Sequence, residues 1–145
     1  RARGSGGELP RGVSDTGTPV GGARTMRALE CVVNEGLAET GRTLTPLVEE
    51  GMARLAEKKN IGEWRGKGLM GALEAVKDKD TKMPFDGSLS VSERIANACT
   101  DQGLICRPLG QSIVLCPPFI MTPAHMDEMF SKLERALDGV FAEVG

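Results

Sequence analysis

The chain has 145 residues, 18 basic against 20 acidic, and a formal net charge of −2. That length allows one domain with a real core, and the balanced charge argues against nucleic acid as its main ligand. No apolar run approaches the roughly 20 residues of a membrane span, and the amino-terminal residues lack the apolar segment of a signal peptide. Four cysteines (Cys31, Cys99, Cys106, Cys116) show no CxxC spacing and there is a single histidine, so neither a zinc site nor a disulfide framework is expected. Free cysteines in apolar runs suggest a reducing, cytoplasmic setting. A first residue of Arg1 rather than Met suggests a start inside a longer reading frame.

Residues 1–20, rich in Gly, Ser, Thr and Pro, read as a loop. Ala23, Met26, Leu29 and Val33 then fall at helical spacing with Gly36 as a stop, predicting a helix of about four turns. Leu37, Leu44, Leu47, Val48, Met52 and Leu55 predict a second helix reaching about Lys59, which Pro46 should kink or divide. The glycines of residues 62–76 favour a hairpin there over a helix, with its turn in Arg65-Gly66-Lys67-Gly68. Residues 77–89 are charged and close with Pro84, Gly87 and Ser88, as a surface loop would.

Ser90-Val91-Ser92-Glu93 has the form of a capping box and opens a helix to Gln102, with Val91, Ile95, Ala98 and Cys99 as its apolar stripe and Gly103 as its end. Residues 104–118 form two short apolar runs around a Pro/Gly/Gln/Ser turn, which predicts a second hairpin with a five-residue loop. Ile113 to Cys116 is apolar on both faces, so that strand should be buried on both sides, and Pro117-Pro118 should stop it. Thr122 as cap and Pro123 at the first position open a terminal helix whose inner face is Met126, Met129, Phe130, Leu133, Leu137, Val140 and Phe141. Helix, helix, hairpin, helix, hairpin, helix is an α+β order: a small, mostly antiparallel sheet packed with helices.

One charge stands against the apolar second hairpin. Pro108 holds Arg107 extended, so its planar fork is available to a carboxylate or phosphate, although an arginine at a strand end commonly just reaches into water. The other candidates carry less. Gly66-Lys67-Gly68 lacks the spacing of a phosphate loop. His125 has no nucleophile nearby and is expected in solvent. The run Lys77-Asp78-Lys79-Asp80 needs no ligand, and Arg107 is the only basic neighbour of any cysteine, at Cys106. From the residues alone there is no complete catalytic set and no metal site.

Several stretches nevertheless resemble one family. Arg107-Pro108-Leu109-Gly110-Gln111-Ser112-Ile113-Val114-Leu115-Cys116-Pro117-Pro118-Phe119-Ile120 is similar to the C-terminal part of class III aminotransferases, fold type I pyridoxal-phosphate enzymes, and most of all to the amine:pyruvate (ω-) transaminases. Gly62-Glu63-Trp64-Arg65-Gly66-Lys67-Gly68-Leu69-Met70 resembles that family's GEVRGxGLM hairpin, and Thr18-Pro19-Val20-Gly21 resembles the opening of its small domain. Gly6-Gly7-Glu8-Leu9 and Met126-Asp127-Glu128-Met129 also fit.

The resemblance implies a C-terminal piece: residues 1–20 as the approach from the large domain and 21–145 as the small domain. It implies pyridoxal phosphate as cofactor, an amine donor and a keto acid such as pyruvate as substrates, and a homodimer. Arg107 matches the arginine that binds the carboxylate of the keto or amino acid. Ser14 falls where the family places a threonine that contacts the cofactor phosphate across the dimer interface. The family's Schiff-base lysine lies upstream, and none of Lys58, Lys59, Lys67, Lys77, Lys79, Lys82 or Lys132 sits in a matching motif. The chain alone is therefore expected to be inactive, with no catalytic residue of its own. A non-enzymatic α+β module that binds a small carboxylate or a partner protein is the alternative reading.

Overall fold

Helix α1, Pro19–Asn34, begins at Thr18, whose extended backbone lets its hydroxyl accept the Gly21 amide at 3.0 Å. The computed structural model describes residues 18–144, and the chain divides between Leu37 and Ala38 into two units. In the first unit α1 ends before Gly36, at φ +63°. Met26, Leu29 and Val33 of its stripe are exposed among the described residues.

The second unit is α+β. Helix α2, Leu37–Ala56, runs unbroken through Pro46 and stops short of the expected Lys59. The proline removes one hydrogen bond, but Leu44, Val48, Met52 and Leu55 on one stripe are all buried, and that packing holds the helix together. Strands β1 (Ile61–Lys67), β2 (Met70–Ala75), β3 (Arg107–Leu109) and β4 (Ser112–Leu115) pair antiparallel in the order β1-β2-β4-β3. Helix α3, Val91–Asp101, connects the two hairpins, and α4, Pro123–Val144, closes the unit.

Both hairpin turns are tighter than the sequence suggests. The first pairs Lys67 with Met70 around Gly68 and Leu69, so Arg65, Gly66 and Lys67 belong to β1 and not to the turn. The second pairs Leu109 with Ser112 around Gly110 and Gln111, two residues in place of five. Each turn places a glycine at positive φ, Gly68 at +61° and Gly110 at +58°, as short hairpin loops require.

The register sorts side chains into two faces. Pro108, Ile113, Leu73 and Trp64 form one cross-strand row on the inner face, with Ile113 and Leu73 fully buried. A β-bulge between Ile61 and Glu63 returns Ile61 to this face although Glu63 points outward. Behind it lies the core, drawn from Leu44, Met52 and Leu55 of α2, Ile95 and Cys99 of α3, and Met126, Phe130, Leu133 and Leu137 of α4. Strand β4 is consequently buried on one side only: Ile113 and Leu115 are inside, Ser112 and Val114 are half-buried, and Cys116 is exposed.

Two other expectations change. Residues 77–89 are not wholly a surface loop, since Phe85 is buried and stacks on Phe141 of α4 at 6.2 Å. Lys79 in the same segment donates to the carbonyl of Ala56 at 2.5 Å, closing the end of α2 with a cation. The capping box does not form. Ser90 ends a short 3-10 turn (Gly87–Leu89) with left-handed φ 44°, not the extended backbone a cap needs, and its hydroxyl caps nothing. At α4 the predicted cap is present and reciprocal: Thr122 Oγ1 accepts the His125 amide, and His125 Nδ1 accepts the Thr122 amide, both at 3.3 Å.

Candidate carboxylate-binding site

Arg107 opens β3, an edge strand bonded only to β4. It faces Val114, which faces Ala72, which faces Arg65, so the four share one row on the outer face. The two arginines stand at its ends, about 14 Å apart across three strand spacings. Val114 and Ala72, half-buried between them, make the middle of the row apolar. Arg107 is exposed, and it has no ion pair among the described residues. A guanidinium beside an apolar strip, with no carboxylate already taking its fork, is suited to a small acid whose other end is apolar.

The rest of the hairpin is tied down away from the arginine. Gly110 carbonyl accepts the Ser92 hydroxyl at 2.6 Å. Gln111 carbonyl accepts the Ala75 amide at 2.9 Å, and its side-chain amide donates to the Phe85 carbonyl at 3.3 Å. These ties reach α3, β2 and the 77–89 segment respectively. The Gln111 contacts have no local sequence signal; that of Ser92 was masked by its place in an apparent capping box.

The remaining candidates resolve simply. Cys106 is half-buried and Cys99 fully buried; a hydrogen bond between their thiols raises the pKa of Cys99 and lowers that of Cys106. His125 is exposed, as expected. No group of three or more metal-ligating side chains occurs among the described residues. Three of the lysines are in surface ion pairs: Lys58 with Asp138 and Glu134 at 2.6 and 3.3 Å, Lys82 with Glu63 at 2.8 Å, Lys132 with Glu128 at 2.6 Å. Burial opposes the charge of Lys58, yet its two carboxylate partners outweigh that and raise its pKa. A concavity of about 230 Å³ beside Leu104, Ile105, Pro117 and Met129 contains no residue of the arginine row. Ser14 lies outside the described residues. The described residues thus include an exposed guanidinium without an ion pair but neither an enclosed lysine nor a phosphate cradle, and they do not by themselves fit pyridoxal phosphate.

Comparison with known proteins identifies the family. The sequence matches the family described as "Aminotransferase class-III" over residues 7–137. An omega-transferase from Vibrio fluvialis JS17 is 66% identical, with a TM-score of 0.86 over 94% of this chain and 33% of its own. An omega-aminotransferase from Paracoccus denitrificans is 67% identical, with a TM-score of 0.87 over 95% of this chain and 31% of its own. The putrescine–pyruvate aminotransferase of Pseudomonas aeruginosa is 31% identical over 96% of this chain and 30% of its own length. The chain spans about three-tenths of the curated relatives it matches. Vibrio fluvialis aminotransferase structures include PMP-bound and PLP-bound forms. The match along most of the sequence, together with the α+β fold, settles the kinship: the chain belongs to the class III aminotransferase family.

Proposed function

We propose that this chain is the small-domain part (residues 21–145, with 1–20 as its approach) of a pyridoxal-phosphate-dependent aminotransferase, a cytoplasmic homodimer in its complete form. The complete enzyme moves an amino group from an amine or ω-amino acid to pyruvate or a similar keto acid, and Arg107 binds the acid's carboxylate. The observation that carries this reading is the exposed fork of Arg107, unpaired among the described residues, at the end of an apolar row. A relative whose name specifies pyruvate as acceptor supports the acceptor class. Ser14 is the residue this reading assigns to the cofactor phosphate, across the dimer interface.

Bound pyridoxal phosphate would supply the electron sink for the transfer, held by a lysine outside this chain. The chain's part is recognition. Arg107 offers two parallel N–H donors to the carboxylate, while Val114 and Ala72 exclude water from one side of the pair. Such a charge-assisted pair contributes on the order of 1.5–3 kcal/mol, or about 10- to 150-fold in affinity.

Replacing Arg107 by Ala in the full-length enzyme is expected to raise the KM for pyruvate by about that factor while sparing an apolar amine donor. Equal losses for both would remove Arg107 from the role. Without the cofactor-bearing lysine the chain alone should not transaminate; a borohydride-fixable adduct on one of its lysines after adding pyridoxal phosphate would refute that.

A further inference from the structure

Ser92 is the only buried polar or charged residue among those described, 1% exposed. A polar side chain in that position costs stability unless it is satisfied, and its partners show what it holds. Its hydroxyl lies 2.6 Å from the Gly110 carbonyl and 3.0 Å from Glu93 Oε2. A hydroxyl has one proton to donate, and the nearer acceptor is Gly110, 18 residues away in the chain. This bond reaches from the first turn of α3 to the residue that follows β3 directly.

β3 needs an outside anchor. It is three residues long and lies at the sheet edge, bonded to β4 alone through Arg107 and Leu109, while the ring nitrogen of Pro108 faces the open side. The strand therefore has a short ladder on one side only, with Arg107 at the end away from the turn, where half-buried Cys106 leads into it. A tie at Gly110 fixes the other end and sets the line along which Arg107 leaves the sheet. Positioning at this level matters because a bidentate pair requires both donors in one plane with the carboxylate.

We propose that Ser92 is a positioning residue for Arg107, acting through its bond to the Gly110 carbonyl to set the affinity of the enzyme for carboxylate-bearing substrates. The inference rests on the carboxylate-binding reading of Arg107. Ser92 touches no substrate; it makes the hairpin a rigid mount for the arginine.

The test compares two amino acceptors in the full-length enzyme, pyruvate and a small uncharged aldehyde. Ser92→Ala is expected to raise the KM for pyruvate about three- to tenfold, the size of one lost neutral hydrogen bond, with the KM for the aldehyde and the kcat for both unchanged. A role limited to folding would not separate the acceptors. Equal changes for both, or no change for pyruvate, overturn the proposal. Ser92→Cys keeps the shape with a weaker donor and is expected to give a smaller rise on pyruvate alone; it supplies the same readout if the alanine variant folds poorly.

In an Arg107→Ala background, Ser92→Ala should add nothing further for pyruvate. A full additional rise there would mean that Ser92 acts by another route, and would overturn the proposal. If Arg107→Ala itself treats pyruvate and aldehyde alike, the reading of Arg107 fails and this inference with it. If Arg107→Ala separates them and Ser92→Ala does not, only the role of Ser92 fails.

Discussion

The two hairpins of the sheet solve the same geometric problem with different means. β1–β2 pairs seven residues with six, and its Leu73 is sealed into the core. β3–β4 pairs three residues with four, includes a proline, and lies half at the sheet edge. Both turn on a glycine at positive φ. The first hairpin is held by its own ladder and by apolar burial. The second borrows its position from Ser92, Phe85 and Ala75 through the carbonyls and side chain of its turn. The lesson is a division of labour: the long hairpin builds the platform, and the short one presents a charged side chain at the end away from its turn.

That division can be broken at several points. The largest expected effect is in the long hairpin, where Leu73→Ala should cost about 2–5 kcal/mol in denaturant unfolding of the chain. A cost below about 1 kcal/mol would mean that β1–β2 is not the platform. Glycine to alanine at either turn places a Cβ in the left-handed region and should cost about 1–2 kcal/mol. No steric clash adds to it, since a Cβ on Gly110 meets nothing within 4 Å and one on Gly68 meets only Thr45 at 4.0 Å. The two should differ in function, however: Gly110→Ala is expected to weaken pyruvate binding in the full-length enzyme and Gly68→Ala is not. Matching KM changes would erase the distinction between the hairpins.

The smallest effect concerns the exposed tie of the long hairpin to the following segment. A hydrogen bond and charge pairing from Lys82 hold the Glu63 carboxyl below its ordinary value of 4.5. A depressed carboxyl contributes stability above its unfolded pKa and loses it as pH falls through the folded one. Wild type should therefore lose its small advantage over Glu63→Gln as pH falls below about 4.5, and high salt should shrink it at neutral pH. Parallel melting curves across that range would show that the pair does nothing.

Much of this architecture was legible beforehand. The six-element order, the cap at Thr122, and the inner face of the terminal helix from Met126 to Val140 follow from spacing and capping chemistry, which are local. What escaped was long-range. Nothing near Phe85 in sequence announces that it stacks on Phe141, and Lys79 looks like any lysine in a charged run until α2 ends beside it. Ser90 and Ser92 illustrate the point sharply. The local pattern assigned the cap to Ser90, but a left-handed backbone disables that hydroxyl, and burial against Gly110 gives the working bond to Ser92. Arg107 stood out as a lone charge among apolar neighbours. Its row with Val114 and Ala72 required the register, which the single-residue pattern cannot supply.

Pro108 has a second consequence, for colloidal behaviour. An edge strand is a template on which another chain can pair, and a sheet of four strands has two such edges. On the β3 side the proline withholds a donor and the strand is only three residues long, so an incoming strand would find little to bond. On the β1 side Glu63, Arg65 and Lys67 put charge of both signs along the outer face of the edge strand, and a bulge bends it. The residue that holds the arginine extended thus also helps to keep the sheet from growing.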